Sequence, residues 1–141
     1  MNRLPPLPAL HASHAGIWLC EPNADARAVS RGEAVSAASE TPVLVLNAPL
    51  TGQRLGYDAL SGLDLLELWA FIHPAQFLVP TPRGLARALG LTQPEREQDI
   101  PALLIAAARC WRGSMNRVGR SARAHGCPRN RCSGCAGRGR R

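Results

Sequence analysis

The stretch "TPVLVLNAP", residues 41–49, decides the fold class of this 141-residue chain. It holds a continuous run of valine and leucine between Pro42 and Pro49, the strongest strand pattern in the sequence. An unbroken apolar run of this length is typical of a strand that is buried on both faces. Strands of that kind belong to sheets with helices on both sides, so the stretch predicts an α/β fold.

The residues before this strand support the same fold class. "GIWLC", residues 16–20, predicts a second strand, and "EPNADAR", residues 21–27, predicts a turn. "SRGEAVSAASE", residues 30–40, predicts a helix with a capping box between Ser30 and Glu33. A strand and a helix therefore precede the buried strand.

Helical patterns follow the buried strand. They are "TGQRLGY" (51–57), "SGLDLLELWAFIHP" (61–74), "PTPRGLARALGL" (80–91), and "TQPE" (92–95) leading into "PALLIAAARC" (101–110). Thr81 is the predicted N-cap of the third, Gly90 is its stop, and Thr92 and Glu95 suggest a further capping box. The predicted order is strand, helix, strand, helix, helix, helix. Two strands are too few for a complete sheet, so we expect a partial domain.

Charge divides the chain sharply near residue 110. Residues 1–109 carry eight arginines and ten acidic residues, a net charge of −2, whereas residues 110–141 carry nine arginines and no acid. The sequence contains no lysine, although lysine serves phosphate binding as well as arginine does. Arginine without lysine, together with abundant Ala, Gly and Pro, is typical of GC-rich coding DNA.

The segment after residue 109 has no helical or strand periodicity. It is rich in Arg, Gly, Cys, Ser and Pro, the mixture that GC-rich DNA yields when it is read out of frame. We therefore expect residues 110–141 to be a frameshift product and a disordered basic tail. A genuine basic tail is the alternative, and its charge would attract nucleic acid without sequence preference.

The same tail contains a cluster of possible zinc ligands. Their spacing is H-x-C-x4-C-x2-C, and the last two cysteines form one CxxC half-site. A structural zinc site usually pairs two such half-sites across enough chain to fold around the metal. The candidate zinc ligands are His125, Cys127, Cys132 and Cys135.

Other chemical motifs give little indication of catalysis. The chain has no GxxxxGK[ST] loop for nucleotide phosphates, no GxSxG and no HExxH. Asp64 and Glu67 lie one helical turn apart, and a solvated helix face explains such a pair better than catalysis does. His11 and His14 are interpreted as surface histidines. No small-molecule substrate is evident.

Two stretches resemble a known family. "VLVLNAPLTGQRLGY", residues 43–57, resembles the second motif of DnaQ-like exonucleases, which have an RNase H-like fold. "DLLELWAFIHPAQFLVPTPRGLARALGL", residues 64–91, is similar to the N-terminal region of DinG-like (XPD-related) bacterial ATP-dependent DNA helicases. In those helicases a degenerate exonuclease-like region precedes the motor. The resemblance covers about residues 9–109.

The resemblance implies a remnant of the second exonuclease motif at Asn47, Ala48, Pro49 and Thr51. Threonine stands at position 51, where the family has a metal-binding aspartate, and a hydroxyl supplies no negative charge to a metal pair. No DxE motif follows the strand predicted at residues 16–20. We expect neither nuclease nor ATPase activity from this chain, no catalytic residues and no cofactor, since the ATP and Mg²⁺ of the family belong to the motor.

These observations predict a partial, degenerate RNase H-like (DnaQ-type exonuclease) domain of the α/β class. The expected organisation is a Pro-rich lead-in at 1–15, the exonuclease-like region at 16–109 and the tail at 110–141. The expected function is that of a truncated, non-catalytic N-terminal portion of a DNA-repair helicase with a structural or DNA-docking role.

The expected partner is DNA, bound weakly through the helicase context or the basic tail. Two alternatives stay open: a small nucleic-acid-binding or zinc-binding protein that acts through the tail, and an α/β module with another interaction role. With no apolar run long enough for a membrane span and no secretory leader, we expect a cytoplasmic protein without membrane contact.

Overall fold

A five-stranded mixed sheet forms the centre of the computed structural model, which describes residues 6–111. The strand order is β3-β2-β1-β4-β5. β1 pairs antiparallel with β2 and parallel with β4, while β2–β3 is antiparallel and β4–β5 parallel. The strands are β1 Ala9–Ala12, β2 Ile17–Cys20, β3 Arg27–Ala28, β4 Val43–Val45 and β5 Gly62–Asp64.

Five α-helices and one 3-10 turn lie among the described residues. The helices are α1 Arg31–Glu40, α2 Ala48–Leu55, α3 Leu65–Ile72, α4 Pro82–Leu89 and α5, described over residues 100–111, with the 3-10 turn at Glu97–Asp99. Side-chain caps fix most of their starts. Ser30 and Glu33 form the predicted capping box of α1, and Thr81 caps α4 ahead of the stop at Gly90.

Both faces of the sheet are covered, and the alternation of side chains along each strand divides the core in two. Leu44 of β4 and Ala9 of β1 face one apolar cluster, which includes Leu65, Leu85 and Leu104 from α3, α4 and α5. The neighbouring strand residues face a second cluster, which α1 and α2 cover: Leu10, Leu19, Val43, Val45, Ala34, Ala38 and Leu55. The prediction that β4 is buried on both faces is confirmed.

The α/β class is confirmed, but the number of strands was wrong, because the sheet has five strands where the sequence predicted two. β1, β3 and β5 were not predicted, and β1 is the central strand although it lies in the segment interpreted as a Pro-rich lead-in. β5 occupies residues predicted to begin a helix, which starts instead at Leu65. The capping box predicted at Thr92–Glu95 is also wrong, because the 3-10 turn begins after Arg96, whose backbone N–H donates to the Asp99 carboxylate at 3.1 Å.

Candidate functional site

The carboxyl ends of β1, β4 and β5 lie at one edge of the sheet because these three strands are parallel. β2, which follows β1 in the sequence, lies on one side of β1, and β4 lies on the other side. The strand order therefore reverses direction between β1 and β4. In α/β sheets the crevice outside the carboxyl ends at such a point is the usual ligand site. Here a cleft of about 490 Å³ opens beside the end of β1, lined by His11, Ser13, His14, Arg54, Thr81, Pro82, Arg83, Pro94, Glu95, Arg96, Glu97 and Ile100.

The end of β1 contributes His11 and Ser13 to this cleft. The Ser13 hydroxyl donates a hydrogen bond to Oε2 of Glu97. The same Glu97 oxygen lies 3.8 Å from Nε2 of His11. Glu97 begins the 3-10 turn that leads into α5, so the three side chains join the central strand to the last helix. The His11 ring also stacks on Trp18 of β2, its register partner, at 6.1 Å between centroids.

Arg54 joins α2 to the same place. Its guanidinium donates a 2.6 Å hydrogen bond to the Ala12 carbonyl at the end of β1. Arg83 of α4 and Arg96 also line the cleft, against two acidic residues, Glu95 and Glu97. Three arginines with several donors each give the cleft a surplus of groups suited to phosphate or carboxylate oxygens.

The environment of His11 favours its neutral form. Burial lowers the pKa of His11 from its ordinary value, the Glu97 carboxylate opposes that shift, and the Arg54 guanidinium adds to it. The interpretation of His11 as a surface histidine was wrong, because its side chain is only 14% exposed. His14, two residues past the strand, is exposed as expected.

The remnant motif at Asn47, Ala48, Pro49 and Thr51 forms the junction between β4 and α2. Asn47 is the N-cap, and its side-chain oxygen accepts from Leu50 N at 3.0 Å. Thr51 is buried, and its hydroxyl donates to the Asn47 carbonyl at 2.8 Å. Both polar side chains are thus used within the helix start.

Asp64 was wrongly interpreted as part of a solvated helix face. It is 7% exposed and accepts hydrogen bonds from Leu66 N at 2.8 Å and Glu67 N at 3.3 Å, as the N-cap of α3. Its other oxygen accepts from Ala48 N at 2.7 Å, which joins the start of α2 to the start of α3. Glu67 is exposed, as expected. The acid pair therefore does not converge on a common site.

The residues of the cleft do not fit the Mg²⁺ of an exonuclease. Such a site needs several carboxylates around the metal pair, but the end of β1 supplies an imidazole and a hydroxyl, and Thr51 is turned into its helix. Within residues 6–111 no three His, Cys, Asp or Glu side chains are grouped as metal ligands. Nor does the sequence offer a phosphate loop for ATP.

Residues 112–141 of the expected tail lie outside the described residues. They include all four candidate zinc ligands, His125, Cys127, Cys132 and Cys135. The first two residues of that predicted tail do lie in α5. Trp111 is 2% exposed, and its ring lies 6.1 Å from that of Trp69 in α3. The packed part of the chain thus extends two residues past the boundary that composition suggested.

Sequence reasoning missed the grouping of His11, Ser13, Arg54 and Glu97. The only local signal was His11 followed by Ser13, at the end of a four-residue strand that is too short to show alternation. The contact between Ser13 and Glu97 joins residues 84 positions apart, and no periodicity in one chain reports such a contact.

Comparison with protein-family models, curated proteins and solved structures gives no match. Among the helices of residues 6–111, none combines the length and apolar character needed to cross a lipid bilayer.

Proposed function

We propose that residues 9–111 are a non-catalytic, exonuclease-type module of a DinG-like DNA helicase, and that the module docks on DNA. The strand order supports the RNase H-like assignment. An RNase H-like sheet has the order β3-β2-β1-β4-β5, with β2 antiparallel to its neighbours β1 and β3, and the same order is found here. The resemblance of residues 43–57 and 64–91 to the family supports the same assignment. The parent helicase would supply the motor, ATP and Mg²⁺.

One observation carries the non-catalytic part of the proposal. The crevice in which an RNase H-like nuclease holds its metals has His11 and Ser13 at the end of β1, and their polar groups are directed to one carboxylate, that of Glu97. A two-metal mechanism needs anionic ligands that hold both ions and leave room for the phosphate. The cleft therefore has the position of a nuclease site without its ligands.

The docking part rests on charge. Arg54, Arg83 and Arg96 line the cleft, and guanidinium groups bind phosphate oxygens in a fixed, bidentate geometry. A bound strand would then be held without being cut.

The proposal is tested with a 5′-labelled single-stranded oligonucleotide, incubated with the purified chain and Mg²⁺ or Mn²⁺ and resolved on a sequencing gel. We expect retention of the strand in a binding assay and no shortening on the gel. Metal-dependent shortening that follows the chain through purification and disappears in His11→Ala would overturn the proposal.

The charge of residues 110–141 favours a second candidate, binding of nucleic acid through the tail alone. A full-length variant with the nine tail arginines changed to glutamine separates the two. Binding that persists supports the module, and complete loss supports the tail. Stoichiometric zinc that is lost in Cys132→Ser/Cys135→Ser would support the zinc-binding form of this candidate.

The helicase context rests on the frameshift hypothesis for the tail. The nucleotide sequence tests it, because an open shifted frame that continues into a phosphate-loop motif supports a longer parent. A shifted frame that stops within a few codons would contradict it.

A further inference from the structure

A second groove lies beside the cleft, between α4 and the loop that precedes it. Its volume is about 360 Å³, and its lining includes Phe77, Val79, Thr81, Arg83, Gly84 and Arg87. Phe77 is 87% exposed, so its ring contributes almost nothing to the core. A single exposed phenylalanine is common, but this one borders a groove that also carries two arginines.

The loop is held in place on both sides of Phe77. The Trp69 indole N–H donates to the Gln76 carbonyl at 3.2 Å, which fixes the residue before Phe77 against α3. On the other side, Val79 lies so close to α4 that a Cβ at Gly84 would come within 2.7 Å of the Val79 Cβ. Only glycine permits that approach. The exposed Phe77 ring therefore projects from a loop whose backbone is already ordered, which lowers the entropy cost of binding a ligand on that ring.

The charge of the groove is of one sign. Arg83 and Arg87 lie at i and i+4 on α4, where like charges repel each other. The lining includes no acidic residue, and within residues 6–111 neither arginine forms an ion pair with a carboxylate. An anion bound between the two guanidinium groups would relieve the repulsion.

An exposed aromatic ring beside arginines is the combination that binds single-stranded nucleic acid. Unpaired bases stack on the ring, and guanidinium groups bind the phosphates. Duplex bases are already stacked on each other and offer no free face. An acidic peptide would use the arginines but would have no particular need for the ring. Thr81 and Arg83 also line the cleft at the strand ends, so the groove and the cleft form one continuous surface.

We propose that this groove binds single-stranded nucleic acid, with one base stacked on Phe77 and phosphates on Arg83 and Arg87. The proposal rests on the DNA-docking function above and assigns the strand to a particular surface.

The chain offers matched controls. Phe71 on α3 is 83% exposed, close to the 87% of Phe77, but it lies outside the lining of the groove. Arg31 is an exposed arginine on α1 that is also outside it. The full-length variants Phe77→Ala, Phe71→Ala, Arg83→Gln, Arg87→Gln and Arg31→Gln are titrated against a fluorescein-labelled oligothymidylate over a series of salt concentrations. Thermal melting checks that each variant folds.

We expect Phe77→Ala to lower the affinity about tenfold at every salt concentration, because stacking does not depend on ion release. Phe71→Ala should change it less than about twofold. Arg83→Gln and Arg87→Gln should each reduce the slope of log K against log salt by about 0.7, and Arg31→Gln should not. Photocrosslinking with 5-iodouracil in the oligonucleotide should label the peptide that contains Phe77.

Equal effects of the two phenylalanine variants on a strand that does bind would overturn the groove assignment and leave the docking function standing. Absence of any binding to the strand would overturn both. Displacement of the oligonucleotide by polyglutamate at equal charge concentration, with no effect of Phe77→Ala, would assign the groove to an acidic protein partner instead.

Discussion

Replacing the buried Asp64 by alanine should destabilise the fold more than replacing any of the exposed or half-exposed acids in the described region. The carboxylate accepts three backbone hydrogen bonds, from Ala48, Leu66 and Glu67, and it is 7% exposed. Loss of an N-cap costs about 1 kcal/mol, and each buried donor left without a partner adds about 1–3 kcal/mol when water cannot reach it. Two of the three donors lie at the start of α3, where partial access of water limits the penalty. We therefore expect a loss of about 3 kcal/mol.

Urea unfolding of the full-length chain, followed by circular dichroism, measures this loss as a lower midpoint at unchanged slope. Glu67→Ala is the matched control, since Glu67 is an exposed acid in the same first turn. It should change the free energy of unfolding by less than about 0.5 kcal/mol. Equal, small effects of Asp64→Ala and Glu67→Ala would refute the inference that Asp64 ties the starts of α2 and α3 together.

Three further variants test the packing and the electrostatics. Leu44→Ala should cost about 2–5 kcal/mol in urea unfolding, because Leu44 is 4% exposed in the central sheet; retained stability would contradict its place in the core. Gly84→Ala should lower the melting temperature, since the new Cβ would overlap the loop before α4. Gly32→Ala should raise the melting temperature, because the new Cβ would meet only one distant atom at 4.0 Å. A higher melting temperature for Gly84→Ala than for Gly32→Ala would refute the close approach at Gly84. Because burial lowers the pKa of His11 in the folded chain, its neutral form contributes stability that is present above the unfolded pKa of about 6.5 and lost as the pH falls. His11→Gln should flatten the dependence of unfolding free energy on pH below about 6.5, and an unchanged dependence would contradict the role of His11.

Local chemistry was predictable from the sequence where one segment carried the whole signal. The capping box of Ser30 and Glu33 and the cap of α4 at Thr81 depend on residues within three positions of each other, and both are present. The same reasoning failed at Asp64, because an acid before an apolar run can be either a first-turn residue or the N-cap. The structure selects the cap, since a three-residue strand ends there.

Sheet and cleft were less predictable because they depend on contacts between distant segments. β1 has four residues, too few for a periodic signal, yet it pairs with β2 and β4 and becomes the central strand. Only that placement brings Ser13 to Glu97, and Arg54 to the Ala12 carbonyl. The groove beside Phe77 was hidden for a similar reason, because the exposure of a phenylalanine becomes visible only when the core is known.

The proposed function requires that the module hold a single strand without cutting it. Fluorescence anisotropy of a 3′-labelled oligothymidylate tests this most directly, when it is followed over hours with Mn²⁺ and the full-length chain whose tail arginines are changed to glutamine. We predict a rise to a stable plateau. A rise followed by a fall below the value of the free strand, the signature of a shortened product, would contradict it, and so would the absence of any rise.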